Sequence, residues 1–361
     1  MIKQLEAKHT VFDSIEDMLA PQTLSNLLSK TITHVERQPM NGHGGVAGSH
    51  MDYVQTNAKR LVLKRMSVDH DWLMFASDDH QCRSVTLWQY GFLDQLMPYV
   101  EHKIIACARD GKGWGILMHD LTGSVHTWGD TMSPERVPIF LDVLARIHAT
   151  FWNDHSLQDP QLGLCSPSAM LDQTALPKAR QHPDYQGSAV PEWVRKGWEA
   201  LPNVLPTEVF EPMLDLIENP QRLFQALKRY PVTLLHGDYR AENLAFVKPD
   251  SLIALDWQMS AYSLMTIDLA WFVKNAYVHA AMSEDDAIRY YRRRLESYLG
   301  EKFDDTAWQV MLDLGRCFEA MRSVGICTFF YSQQTDPERR TFEEHMVKRF
   351  GQDVINAIPL L

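Results

Sequence analysis

The sequence predicts an α+β protein of two unlike lobes, a small β-rich N-terminal one and a larger, mainly helical C-terminal one. Three observations predict it. The chain has 361 residues, enough for two units of roughly 150 residues each. Its first third alternates short runs of β-forming residues with turn signals. From about residue 134 onward, apolar residues recur mainly at helical spacing. The expected division puts residues 1–121 in the first lobe and 122–361 in the second.

The elements follow in order. ITHVERQPM at 32–40, MDYVQT at 51–56 and RLVLKRMS at 60–67 read as strands of a small antiparallel sheet, with the glycine cluster NGHGGVAGSH at 41–50 between the first two. Val85, Trp88, Phe92, Leu93 and Leu96 predict a helix over 84–96. HKIIACAR and GWGILMHD flank the turn DGKG as two further strands. Pro134 after Ser133 predicts a capped helix start, with Ile139, Val143, Ile147 and Phe151 on its apolar face. Residues 156–205, rich in Pro, Ser, Gln and Asp, read as an irregular insertion or a set of short helices outside the core, placed to cover a site. A helix is expected over 209–229, a β-rich segment from Val232 to Trp257, then helices over 267–279, 283–299, 306–331 and 338–356.

Composition narrows the function. Hydrophobic residues at 45% and charged residues at 22% suit a chain with a sizeable core and exclude a disordered one. The balance of 35 Lys and Arg against 46 Asp and Glu, net −11, argues against nucleic acid or an anionic membrane as partner. The longest apolar runs, LIAL and ICTFFY, fall far short of the ~20 residues a spanning helix needs. The start, MIKQLEAKHTVFDSIEDML, carries acids and lacks the pattern of a secretory signal, so a cytoplasmic address is expected. Five cysteines, at 82, 107, 165, 317 and 327, form no CxxC pair and sit mostly in apolar contexts typical of buried thiols. No histidine spacing suits zinc.

The most informative segment is PVTLLHGDYRAENLAFVKPDSLIALDW, residues 231–257. The apolar strand VTLL delivers His236, Gly237 and Asp238 into a loop, Asn243 follows five residues later, and the strand LIAL delivers Asp256. Singly these are ordinary turn residues. Together they suit phosphoryl transfer, which needs one carboxylate to orient a hydroxyl and hard oxygen ligands to hold Mg²⁺ on phosphates. The Asp-x-x-x-x-Asn spacing is that of a kinase catalytic loop.

With these residues the chain resembles the aminoglycoside phosphotransferase and choline kinase-like superfamily, in its broad phosphotransferase enzyme branch, over residues 32–280. HGDYRAEN resembles the catalytic loop, LDWQ the metal-binding segment and SLMTIDLAWF the stretch downstream. The resemblance implies a protein kinase-like two-lobed fold that uses ATP and Mg²⁺ and phosphorylates a small-molecule hydroxyl. It implies Asp238 as catalytic base, Asn243 and Asp256 as Mg²⁺ ligands, and Asp268 as a buttress of the loop. His236 reads as structural, His148 as packing, and Arg240 as steadying phosphate charge or pairing with a nearby acid.

The upstream sequence supplies the other parts such a kinase needs. Gly42, Gly44, Gly45, Gly48 and Ser49 form a glycine-rich turn suited to phosphates, and Lys64 follows on an apolar strand. Alternation puts Lys64 and Arg65 on opposite faces. Met118, His119, Asp120 and Leu121, in WGILMHDL, resemble the hinge that holds adenine through main-chain groups. One departure stands out. RSVTLWQYGFLDQL has no glutamate to pair with Lys64 and carries Ser84 near its place; Asp78, Asp79 and Gln89 are the substitutes at hand. The departure keeps a nucleotide-binding pseudokinase as the alternative. A protein kinase is a weaker reading, since no APE-like segment follows LDWQ. In the C-terminal helix, Asp313, Arg316, Glu319 and Arg322 read as a solvated ion-pair face or as a lining of the acceptor pocket.

Overall fold

The computed structural model describes residues 5–40, 45–125, 133–248 and 251–361. The strands in chain order are β1 (Val11–Phe12), β2 (Val35–Pro39), β3 (His50–Thr56), β4 (Arg60–Met66), β5 (Val100–Glu101), β6 (Ile104–Asp110), β7 (Gly113–His119), β8 (Thr233–Leu235), β9 (Leu244–Lys248), β10 (Ser251–Ala254) and β11 (Ala261–Ser263). The N-terminal sheet has the order β1-β6-β7-β4-β3-β2. Its pairs are antiparallel except β1 with β6, which is parallel.

Period-two alternation along β4 decides what each face meets. Leu61 and Leu63 are buried against the helices Ile15–Leu19 and Pro21–Leu28, through Ile15, Met18 and Leu24. Lys64 and Met66 point the other way. Arg65 returns to the first face and pairs with Asp110 at 2.7 Å, so Lys64 and Arg65 do lie on opposite faces. The N-terminal stretch, to which the sequence assigned no element, thus covers one face of the sheet and adds its edge strand.

The rest is largely helical, around two small sheets. β9 and β10 pair antiparallel, and β5 joins β10 in parallel. β8 pairs with β11. Strand β5 lies before residue 121, yet it pairs with β10, so the chain is stitched across the expected lobe boundary. Helix Trp308–Gln333 runs through the core and packs on helices Val190–Ala200, Thr266–Val273 and Pro337–Ala357.

Several expected boundaries need correction. The helix expected over 84–96 is Arg83–Gln89 followed by a 3-10 turn at Leu93–Leu96, interrupted where Gly91 takes φ +73°. The helix after Pro134 begins at Arg136, and Ser133 contributes its carbonyl, which accepts the Arg136 N–H, without capping by its side chain. The helix expected over 209–229 breaks at Pro220 into Thr207–Glu218 and Gln221–Leu227, because the residue before a proline is driven out of helical geometry. The one expected over 267–279 is two, Thr266–Val273 and Ala276–Ala281.

Residues 156–205 form short helices, as one of the two readings had it, but they belong to the core. Leu162, Met170, Ala179, Val194 and Leu201 are all buried in the main cluster. Helix Val190–Ala200 approaches helix Trp308–Gln333 at backbone distance, since a Cβ on Gly197 meets the Gly325 carbonyl at 1.6 Å. Gly197→Ala is therefore expected to push the helices apart and cost about 1–3 kcal/mol, read as a lower urea midpoint with an unchanged slope. All five cysteines are free, and four are buried. Among the described residues no helix is long and apolar enough to cross a membrane.

Candidate active site

Strand β8 ends at Leu235, and the chain turns at once through His236, Gly237 and Asp238. The turn is held from below by Asp268, fully buried near the start of helix Thr266–Val273. Its carboxylate accepts the backbone N–H of His236 at 2.7 Å and of Gly237 at 2.9 Å. Gly237 takes φ +82°, and a Cβ there meets the Met259 carbonyl at 2.1 Å, so only glycine fits. Burial alone pushes the Asp268 carboxyl up, but His148, 3.5 Å away, and the loop's N–H donors hold it below its ordinary value. His236 is buried, contacts the Leu255 carbonyl through Nε2 at 2.9 Å, and is pushed down by that burial. His148 bonds the Tyr291 hydroxyl through Nδ1.

Asp238 and Asn243 face each other across the loop. The Asn243 amide donates to Asp238 Oδ2 and to the Asp238 carbonyl, both at 2.9 Å. Arg240 Nε lies 3.2 Å from Asp238 Oδ1. The Leu255 N–H donates to the Asn243 carbonyl at 2.9 Å, which places Asp256 beside the loop. Asp256 itself takes a left-handed conformation, φ 60°, uncommon outside glycine and tolerated best by Asp and Asn.

From the opposite wall, Lys64 Nζ donates to Asp256 Oδ1 at 2.7 Å. Burial disfavours both charges. Their mutual attraction outweighs it, holding the Asp256 carboxyl low and the Lys64 ammonium high. The crevice where they meet is lined by Lys64, Ser84, Ile104, Ile116 and Met118 on one side and by residues 254–257 on the other. Lys64 and Asp256 line this crevice, and Asp238 and Asn243 lie on the adjoining loop, joined to it by the Asn243 carbonyl and the Leu255 N–H.

Of the four residues expected to form the hinge, Met118 lines this crevice and the other three do not. His119 meets Lys59 at 3.2 Å, the Asp120 carboxylate takes Arg60 at 2.5 Å and caps Thr122, and the Leu121 carbonyl accepts from Ser124. Gly42 and Gly44 lie outside the described residues. Gly45 is exposed. Gly48 takes φ +110°, and a Cβ there meets the His70 carbonyl at 2.0 Å. Residues 182–188 reach this segment, with the Ser188 hydroxyl donating to the Val46 carbonyl at 2.8 Å.

None of Asp78, Asp79 and Gln89 meets Lys64. Asp78 pairs with His80, Asp79 lies 3.4 Å from Arg83, and the Gln89 carbonyl takes the N–H of Lys8 and His9. The acid that Lys64 meets is Asp256, and a second buried acid, Asp71, which the sequence did not single out, is tied to the segment after it. Asp71 is fully buried and bonds Ser49 Oγ at 2.8 Å and Gln258 Nε2 at 2.6 Å. Glu319 and Arg322 are buried as well, correcting the reading of a solvated face. Arg322 donates to Glu319 at 3.1 Å and to the Gly237 carbonyl at 3.0 Å, clamping the loop from helix Trp308–Gln333. A signal for this was present: Phe318, Met321 and Val324 surround the pair, and a helix apolar all round is an interior one.

A metal fits the donor set. Asn243 turns its amide N–H₂ toward Asp238, so its amide oxygen is the atom left for a cation, and Asp256 is an ionised carboxylate with one oxygen, Oδ2, outside the Lys64 bond. Two hard oxygen donors on adjoining segments suit Mg²⁺, which keeps most of its shell as water and phosphate.

Comparison with known proteins gives three kinds of result. The family model described as the phosphotransferase enzyme family matches residues 95–312. No curated protein sequence matches. Among solved structures, an amicoumacin kinase in complex with AMP-PNP, Ca²⁺ and Ami superposes with a TM-score of 0.52 at 13% identity, covering 96% of each chain. A Plasmodium vivax ethanolamine kinase gives 0.52 at 13%, covering 88% of this chain and 82% of that one. A spectinomycin phosphotransferase in complex with ADP and spectinomycin gives 0.50 at 14%, covering 94% and 98%. At these identities the likeness is one of fold.

Proposed function

The chain belongs to the phosphotransferase enzyme family, and from that premise we propose that it transfers the γ-phosphoryl group of ATP to a hydroxyl of a small molecule, with Mg²⁺. The observation that carries this reading is the meeting of Lys64 and Asp256 at 2.7 Å beside the Asp238–Asn243 pair at 2.9 Å. It supports a reading in which Lys64 serves the phosphates, Asp256 and Asn243 a metal, and Asp238 the acceptor.

When bound, ATP would supply the phosphoryl group, and Mg²⁺ would screen its charge and polarise the leaving oxygen. The chain's own residues do the rest. Asp238 accepts a hydrogen bond from the acceptor hydroxyl, aligns its oxygen with the γ-phosphorus and takes the proton as the new O–P bond forms and the bond to the ADP oxygen breaks. Asn243 and Asp256 would hold the metal, and Lys64 would balance phosphate charge. Such a reaction is one of positioning and electrostatics.

The test is purified protein with γ-labelled ATP and Mg²⁺ against a library of amino alcohols, sugars and aminoglycosides, beside calorimetric titration with Mg·AMP-PNP. Labelled product from at least one acceptor is expected. Tight nucleotide binding with no transfer to any acceptor, and no hydrolysis, would favour the pseudokinase that Ser84 beside Lys64 suggests. Asp256→Ala is expected to weaken Mg·AMP-PNP binding by roughly ten- to a hundredfold and to leave metal-free ADP binding less affected. Equal loss with and without Mg²⁺ would remove Asp256 from the metal site.

A further inference from the structure

We infer that Arg322 is a positioning residue for Asp238, holding from helix Trp308–Gln333 the peptide plane that leads into it; this rests on the function proposed above. The Gly237 carbonyl and the Asp238 N–H belong to one peptide group. Rotation about the Gly237 Cα–C bond would swing Asp238 with it, and glycine, without a Cβ, does little to oppose that rotation. Asp268 accepts the N–H groups of His236 and Gly237, so it fixes the chain only up to that bond. The hold beyond the bond has to come from another group.

Arg322 is in that place. Its Nη2 donates to the Gly237 carbonyl at 3.0 Å, and the Asp238 N–H, on the same plane, donates to His236 Nδ1 at 3.3 Å. The second bond is long for its kind, and His236 belongs to the loop and moves with it. Arg322 stands on a core helix, 85 residues away in sequence. The guanidinium is itself held. Nη1 donates to Glu319 Oε2 at 3.1 Å, the Ser323 hydroxyl donates to Glu319 Oε1, and Met259 Sδ lies 4.0 Å from Nη2. Arg322 is 4% exposed and Glu319 is fully buried. Burial pushes the Glu319 carboxyl up, but the arrangement asks of it only an oxygen that accepts. One nitrogen of a rigid fork thus grips the helix and the other the loop, which passes the position of the helix to the plane in front of Asp238. Lysine, with a single nitrogen, does not reproduce that fork.

The test is a double-mutant cycle on turnover, with Mg·AMP-PNP binding by calorimetry and melting followed alongside. Arg322→Met together with Glu319→Gln removes the guanidinium and leaves no unpaired charge in the core. In the otherwise unaltered chain the pair is expected to lower ATP hydrolysis and phosphoryl transfer roughly a hundredfold, the effect of a misplacement of about 1 Å, while nucleotide affinity stays within about twofold. In an Asp238→Ala background, followed under single turnover with protein in excess, it should change the rate by no more than about twofold, because no carboxylate is left to aim. An unchanged rate in the first background, the same loss in both, or a loss of affinity as large as the loss of rate overturns the inference, since a merely structural role does not depend on the Asp238 carboxylate. Arg322→Lys, which keeps a cation opposite Glu319 without the fork, serves if the pair does not fold; unfolding of both makes Arg322 structural and overturns the inference too. Failure of the unaltered protein to bind Mg·AMP-PNP and to turn over ATP would instead sink the parent reading.

Discussion

Asp238→Ala is expected to lower turnover by roughly 10²–10⁴-fold while Mg·AMP-PNP binds as tightly as before or slightly tighter. The two halves of this expectation come from different contacts. On the function proposed, turnover falls because the carboxylate that would orient and deprotonate the acceptor is gone. Binding survives because the loop keeps its shape: the Asn243 amide still has the Asp238 carbonyl at 2.9 Å, and Gly237 still has Asp268 and Arg322. Removing a negative charge beside a polyanion does not repel it, which gives the sign of any change in affinity. The slow ATPase, with water in place of the acceptor, checks turnover before the acceptor is known, and calorimetry checks binding. An ATPase and a transfer rate within about twofold of the unaltered protein, well inside the span a general base supplies, would remove Asp238 from the chemistry.

How much of this was legible in the sequence depends on how far apart the cooperating residues lie. Asp238 and Asn243 are five residues apart on one loop, between two apolar strands, so that they belong together could be read from spacing, though not the hydrogen bond that joins them. The opposite faces of Lys64 and Arg65 followed from alternation alone. Asp71 was invisible because its meaning lies in Ser49, 22 residues back, and Gln258, 187 residues on; in SVDHDW it looks like any turn acid. β1 is two residues long, too short for any periodicity, so the edge of the sheet left no trace. Residues 156–205 misled for a different reason. Their Pro, Ser and Asp residues start short helices, at Ser166 and Pro167 for one, and composition registered the starts but not the buried Leu, Met and Trp between them. The break at Pro220 was in plain view, and only the periodicity of the flanking residues hid it.

Asp268→Ala is expected to cost about 3–5 kcal/mol of stability, the range for breaking a buried charge arrangement, and activity with it. The carboxylate is fully buried and satisfies the N–H groups of His236 and Gly237. Its loss strands both donors where water does not reach and lets the turn that carries Asp238 drift, and a 1 Å misplacement costs on the order of 10²-fold in rate. Asp268→Asn is no remedy, since its N–H₂ would face one of those N–H donors. The effect carries a pH signature. The Asp268 carboxyl is held below its ordinary value in the fold, burial notwithstanding, by His148 and the loop, so its contribution is fully present above the unfolded carboxylate pKa of about 4 and fades as pH falls through the lower folded value. His236, pushed down by burial, adds a loss that begins below about pH 6.5, where the unfolded chain takes up that proton first. The unaltered protein should therefore weaken in both windows. The gap between it and Asp268→Ala, measured by urea unfolding, should be widest near pH 7 and narrow below about pH 4. A gap that stays constant down to acid would mean that Asp268 acts by shape and not as an anion.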